Sequence, residues 1–270
     1  MPELPEVEVT CAGIRAHALR QRIKKISVRQ PKLRWPVPPD LLQLSDVKIT
    51  NIERRAKYIL FNVTKGTIII HLGMSGRLGI FQTTQPIQKH DHVDLVLENN
   101  SLIRYTDPRR FGAILWTTQN PLSIPLLTKL GVEPLSELFD GAYLFNKIKG
   151  KKVFIKQFIM DQQIVVGVGN IYANEALFLA KISPCRMAST LSKDECNQLA
   201  VEIKNTLQQA ILQGGTTFKD FLSPSGKRGY FLQKLFVYGR GGKHCFSCKN
   251  LLQTTRIGQR TTVFCQHCQR

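Results

Sequence analysis

The sequence predicts an α+β protein of more than one domain: a β-rich N-terminal half, a helical second half and a small cysteine-bearing hairpin beyond it. Three observations predict this. Between about residues 47 and 117, apolar residues recur at every second position in several short runs, the period of half-buried strands. After residue 137 they recur at helical spacing, most clearly behind the capping box Ser192-Lys193-Asp194-Glu195. The final stretch carries Cys245-x2-Cys248, sixteen residues, then Cys265-x2-Cys268.

In chain order, Pro5 suits the first turn of a helix, where its missing N–H costs nothing. That helix is expected over residues 6–19, with Val7, Ile14 and Ala18 on one side. From about residue 24 the period changes to two. A weak strand runs through Val47, Ile49 and Ile52, and strong strands at 58–63 and 67–71 join through Thr64-Lys65-Gly66. Residues 92–97 and 102–106 read as a hairpin around Glu98-Asn99-Asn100-Ser101, and 113–117 as another strand. Many short strands with turns between them predict a sandwich or barrel over residues 1–120. Pro121, Pro125 and Pro134 mark 121–137 as a linker. A helical domain is expected over 138–235 and the cysteine finger over 236–270. Helices at 155–160 and 171–179 flank Val166-Gly167-Val168-Gly169-Asn170, which is too glycine-rich to be helix or central strand. The helix behind Ser192 buries Cys196, Leu199, Ala200, Ile203, Leu207, Ala210 and Ile211 and stops at Gly214-Gly215. Residues 215–230 form a long polar loop, of a length that is usually functional inside a compact domain.

The 270 residues are 43% hydrophobic and 21% charged, ordinary for a globular protein. The net charge of +19 is not ordinary, and the commonest large anion that would balance it is nucleic acid. From residue 215 onward, ten Lys and Arg face a single acid, Asp220. No apolar run reaches the roughly 18 residues of a membrane span. The start of the chain, with Glu3, Glu6 and Glu8, lacks the basic-then-apolar layout of a signal peptide. Seven cysteines, an odd number, argue for a reducing compartment rather than a disulfide framework; a cytoplasmic location follows.

Two CxxC knuckles at this spacing can set four thiolates tetrahedrally around Zn2+. With four sulfur ligands such a site has no open position and is structural. The residues between the knuckles read as two strands around Gly258-Gln259-Arg260, a hairpin able to carry Arg260 to a phosphate. At the other end stands Met1-Pro2-Glu3-Leu4-Pro5-Glu6. Initiator methionine is normally removed before proline, which would expose a secondary amine at Pro2. An α-amino group titrates near pH 8, so part of it is unprotonated at neutral pH and can attack an electrophilic carbon. An ordinary helix start explains the same residues. Met74 in His71-Leu72-Gly73-Met74-Ser75-Gly76 and Phe111 in Asp107-Pro108-Arg109-Arg110-Phe111-Gly112 lie in glycine-flanked segments. They are either core residues or exposed wedges able to enter a base stack.

Taken together, these motifs resemble the formamidopyrimidine-DNA glycosylases, which excise oxidised purines from DNA. The resemblance runs through Pro2-Glu3-Leu4-Pro5-Glu6-Val7, Arg54-Arg55-Ala56-Lys57-Tyr58, the His71 and Asp107 segments, Gly167-Val168-Gly169-Asn170-Ile171-Tyr172 and the four-cysteine finger. It implies an N-terminal β-sandwich, a helix–two-turn–helix domain and a β-hairpin zinc finger, with damaged duplex DNA between the domains. The target base must be flipped out of the stack. The resemblance makes Pro2 the nucleophile that forms a Schiff base with the sugar, and Glu3 the acid/base group. Lys57 would be a catalytic residue at the lesion phosphate, and Glu6 a supporting carboxylate. β- and δ-Elimination would follow. Met74, Arg109 and Phe111 would fill the gap left by the base. His71, His92, Arg110, Lys156, Asn170, Tyr238 and Arg260 would complete the DNA contacts, and the 215–230 loop would cover the flipped base. The implied protein is a monomer with one structural zinc at Cys245, Cys248, Cys265 and Cys268, and no catalytic metal or organic cofactor. Two rivals are an endonuclease VIII-type enzyme, which typically has Gly where this chain has Leu4, and a non-catalytic zinc-finger DNA-binding protein.

Overall fold

The computed structural model of the chain describes residues 2–214 and 235–270. These divide into two compact units, with the boundary between Thr128 and Lys129.

The first unit opens with helix α1 (Leu4–Ala18). Its buried Leu4, Val7, Cys11, Ile14 and Ala18 form one stripe at helical spacing. The helix starts two residues earlier than its apolar pattern suggests because Glu3 is its N-cap. Glu3 and Glu6 form a capping box, each side chain accepting from the other's backbone N–H. Eight strands follow: β1 (Arg22–Val28), β2 (Val47–Arg55), β3 (Tyr58–Val63), β4 (Gly66–His71), β5 (Arg77–Gln82), β6 (Asp91–Leu97), β7 (Ser101–Thr106) and β8 (Ala113–Thr117). They form an antiparallel ribbon in the order β5-β7-β6-β1-β2-β3-β4-β8. β1 and β2 pair only through Arg22↔Lys48 and Ile23↔Val47, so the ribbon bends there into two four-stranded leaves. Ile23, Ile26, Val93, Leu95 and Ile103 from one leaf and Ile49, Ile59, Phe61, Ile68, Ile70 and Ile114 from the other share a single core. β5 and β8 remain as edges, so the architecture is the sandwich rather than the barrel. The edge strand β5 escapes a reading by period because Gly79 interrupts it and its ends are polar. Beyond β8, the proline-rich stretch is not bare linker: the short helix α2 (Pro125–Thr128) lies within this unit.

The second unit contains α3 (Gly141–Ile148), α4 (Ile155–Met160), α5 (Asn170–Leu179) and α6 (Lys193–Leu212). Asp140 caps α3 by accepting from Tyr143 N–H at 2.6 Å, and the Ser192–Glu195 capping box opens α6. Leu144, Ile148, Ile159, Tyr172, Ala176, Leu199, Ile203 and Leu207 interlock as the helical core. The cysteine finger belongs to this same unit. Its hairpin pairs β9 (Gln253–Ile257) with β10 (Arg260–Phe264). Phe178 of α5 joins Val237, Leu252, Val263 and the buried Cys245 and Cys265 in a small second core. Among the described residues no helix is long and apolar enough to cross a membrane.

Candidate functional site

In the first unit, Pro2, Glu3 and Glu6 are all buried. Glu6 Oε2 accepts from Glu3 N–H at 2.8 Å, so the segment carrying Pro2 is tied to the helix it precedes. Glu8 holds Arg54 Nε at 2.6 Å, joining α1 to β2. Arg54 also donates to Ala56 O at 3.0 Å. Ala56 takes a left-handed φ of +54° in the two-residue turn that pairs Arg55 with Tyr58. The brace from Arg54 therefore fixes the turn that presents the largely buried Lys57.

Tyr58 is opposite His71 across β3 and β4, with ring centroids 4.9 Å apart. His71 Nδ1 accepts from Gly73 N–H at 3.0 Å, which puts the ring proton on Nε2. Burial, then the charges of Arg34 and Lys57, push its pKa down to about 4. At neutral pH His71 is thus an uncharged imidazole whose Nε2–H is a donor. Arg34 was not among the residues expected from sequence. It is exposed, its guanidinium lies over Trp35 at 4.7 Å, and its backbone N–H is held by Gly112 O at 3.0 Å.

Met74 and Phe111 are 37% and 47% exposed, which removes the core reading of both. Arg109 and Arg110 are exposed beside them, and the Arg109 guanidinium lies 4.7 Å over the Phe111 ring. The two segments touch: Gly73 has φ +64°, and a Cβ there would fall 2.4 Å from the Phe111 carbonyl carbon. Beneath them the wholly buried Asp107 accepts from Ser75 Oγ at 2.6 Å, Tyr105 Oη at 3.0 Å and Gly112 N–H at 2.9 Å. His92, expected as a DNA contact, is buried, with Nε2 bonded to Asp107 O at 2.8 Å. It supports the loop from below.

In the second unit, Asn170 is the first residue of α5, behind the N-cap Gly169. Lys156, the other residue expected to face DNA, is fully buried. Its Nζ donates to Asn170 Oδ1 at 2.7 Å, Thr262 Oγ1 at 2.7 Å and Thr261 O at 3.2 Å. An ammonium has three donors, and these three acceptors occupy them, so Lys156 acts within the fold. Asn170 Nδ2 also donates to Thr261 O at 3.1 Å. The start of α5 is thereby fastened to the hairpin whose turn, Gly258-Gln259 with φ of +53° and +61°, leads into the exposed Arg260. Glu175, also unforeseen, accepts from Phe236, Val237 and Tyr238 N–H at 2.6, 2.9 and 2.8 Å. Its burial nevertheless raises its pKa. This carboxylate fixes the half-buried Tyr238.

The Sγ atoms of Cys245, Cys248, Cys265 and Cys268 all lie within 4.8 Å of one another. A tetrahedral ion with Zn–S bonds of about 2.3 Å has S–S edges of about 3.8 Å. The four thiols fit one structural metal ion, and among the described residues no other group of three or more potential ligands clusters in this way. The 215–230 loop lies outside the described residues.

Comparison with known proteins gives a consistent picture. Residues 1–114 match the formamidopyrimidine-DNA glycosylase N-terminal domain family, and residues 130–221 match the formamidopyrimidine-DNA glycosylase H2TH domain family. The chain is 53% identical to the formamidopyrimidine-DNA glycosylase of Pseudomonas putida GB-1 and 54% identical to that of Pseudomonas fluorescens SBW25, covering 100% of each chain in both cases. Among solved structures it resembles the MutM (Fpg) protein of Thermus thermophilus (TM-score 0.86, 36% identity, 99% of this chain and 98% of that one). It also resembles the Lactococcus lactis Fpg in complex with DNA containing N7-benzyl-Fapy-dG (TM-score 0.90, 32% identity, 100% of both chains).

Proposed function

The chain belongs to the formamidopyrimidine-DNA glycosylase family, and from this premise and its own geometry we propose that it removes oxidised purines from duplex DNA in base excision repair and then cuts the abasic strand. The observation that carries the reading is the exposed pair Met74 and Phe111 on two locked loops, in the same unit as the anchored Pro2-Glu3 segment. That unit offers both a device for opening a base stack and a candidate nucleophile.

After removal of Met1, the unprotonated Pro2 amine attacks C1′ of the flipped nucleotide, forming the N–C1′ bond as the bond to the base breaks. Glu3 exchanges the proton that opens the sugar ring, giving the iminium. Loss of the C2′ proton then expels the 3′-phosphate, and a second elimination expels the 5′-phosphate. Lys57 binds the phosphate at the lesion, and neutral His71 donates through Nε2–H. Asn170, Arg260 and Tyr238 hold further phosphates, with Lys156 and Glu175 positioning them. Arg109 fills the vacated space with Met74, and Arg110 contributes charge beside it. The four cysteines hold Zn2+, which stabilises the hairpin that carries Arg260. Cytoplasmic location and a monomeric state complete the proposal.

Borohydride reduction in the presence of DNA containing an oxidised purine tests it. A covalent protein–DNA adduct is expected from protein whose intact mass shows loss of Met1. Full strand-cutting activity from protein that retains Met1 would overturn the role of Pro2.

A further inference from the structure

Building on the proposed function, we infer that Asp107 is a positioning residue for entry into the duplex: its carboxylate binds the Met74 and Phe111 loops into one rigid tip. Each oxygen is shared between elements. Oδ1 accepts from Ser75 Oγ at 2.6 Å, one residue beyond Met74, and from Arg109 N–H at 3.3 Å. Oδ2 accepts from Tyr105 Oη at 3.0 Å and Gly112 N–H at 2.9 Å, on the two flanks of the Phe111 segment. Ser75 Oγ closes the ring by accepting from Arg109 N–H at 3.2 Å. The backbone of Asp107 is held as well, its N–H by His90 O at 3.1 Å and its carbonyl by His92 Nε2 at 2.8 Å.

The chemistry requires a carboxylate. All four groups around it donate, and two of them are backbone N–H groups that cannot turn round to accept. An asparagine must direct its NH2 toward either Gly112 N–H, which then loses this acceptor, or Arg109 N–H, which then keeps only Ser75 Oγ while the Ser75 hydroxyl turns to accept; either way one bridge of the tip is weakened. Nor can the loops be respaced by a side chain, since a Cβ on Gly112 would fall 1.8 Å from Tyr105 Oη. Two apolar probes entering one stack must arrive together at a set spacing. Tying them in advance removes the entropy of ordering each loop separately. Asp107 acts through Met74 and Phe111 on the duplex, not on the sugar.

The test compares two substrates: a duplex with one oxidised purine, and a single-stranded oligonucleotide with an abasic site, which has no base pair to open. In Asp107→Asn, kcat/KM on the duplex is expected to fall by about tenfold or more, while the rate of borohydride trapping on the single strand changes by less than about twofold. Ser75→Ala, which removes one bridge between the loops and leaves the buried carboxylate in place, is expected to lose about threefold on the duplex alone. Equal losses on both substrates, or no loss on the duplex, would overturn the inference. If Asp107→Asn does not fold, Ser75→Ala decides by the same criteria. If the parent protein traps neither substrate, the proposed function fails instead.

Discussion

Asp107 and Lys156 are both withdrawn completely from solvent, each beneath an exposed tip, and they carry opposite charges. Under Met74 and Phe111, the anion gathers donors: two hydroxyls and two backbone N–H groups. Under Asn170 and the Arg260 hairpin, the cation gathers acceptors: an amide oxygen, a hydroxyl and a carbonyl. A buried charge is tolerable only when its hydrogen-bonding capacity is met, so each has organised a loop around itself. The two signs can be set against what the two tips are proposed to do. The anion under Met74 and Phe111 consumes two backbone N–H groups, and above it Met74 and Phe111 are exposed together with Arg109 and Arg110. A cation beneath Asn170 and Arg260 would add its field to the place where we propose that a phosphate docks. The same device, a charged residue used as a knot, would in the proposed function serve insertion in one region and electrostatic capture in the other.

Metal removal is expected to break the comparison most severely, because it acts on one region alone. A chelator that strips the four-cysteine site should unfold the hairpin, since the binding free energy of a structural zinc, about 10 kcal/mol or more, is folding free energy. DNA affinity should drop by about tenfold or more while amine trapping at saturating abasic DNA persists; fluorescence anisotropy and borohydride trapping report the two separately. Stripped protein that binds DNA normally would show that the second tip does not need its metal.

The next effect comes from Lys156→Met, which keeps the bulk and deletes the knot. Asn170 Oδ1 and Thr262 Oγ1 lose this donor while Thr261 O keeps Asn170 Nδ2, and the second unit should lose about 3 kcal/mol in denaturant titrations. DNA with or without damage should bind more weakly to the same degree, because phosphate contacts carry no lesion information. A lesion-specific loss would show that Lys156 serves the stacking region instead.

The last test sharpens the picture of the first region. His71 is held near pKa 4, below its ordinary 6.5, so folding favours its neutral form. Between those values the unfolded chain binds the proton and the folded chain does not, so stability falls as pH drops from 6.5 toward 4. The full span is worth about 3 kcal/mol. Thermal melts of His71→Gln across that range should show a flatter pH dependence than the parent; an identical slope would mean that His71 is not the titrating group.

Features written within a few neighbouring residues were legible in the sequence. The Ser192–Glu195 box, the apolar face of α6, the hairpin ending at Arg260 and the cysteine quartet each depend on spacing alone. So did the placement of most strands in the sandwich. The Glu3–Glu6 box follows the same logic but was obscured by two acids more readily read as chemistry. The knots were not legible. Asp107 reaches Ser75 across 32 positions, and Lys156 reaches Thr262 across 106; nothing local distinguishes a lysine bound for the interior from one bound for a phosphate. His92 and Glu175 were obscured in the same way. α3 was missed because its start depends on a single Asp140 cap and it is only eight residues long.

The capping box at the start of α1 has a kinematic consequence. Chain ends are ordinarily the least ordered part of a fold, a poor place for a nucleophile. Here the Glu3 N–H is pinned to Glu6 Oε2, the peptide before it is planar, and the pyrrolidine ring locks the N–Cα torsion of Pro2. Between the pinned amide and the Pro2 nitrogen a single free rotation remains, ψ of Pro2. On the proposed role of Pro2, aiming the amine after loss of Met1 would be a search over one angle, and the proline would contribute its ring to that aim as much as its nitrogen to the bond.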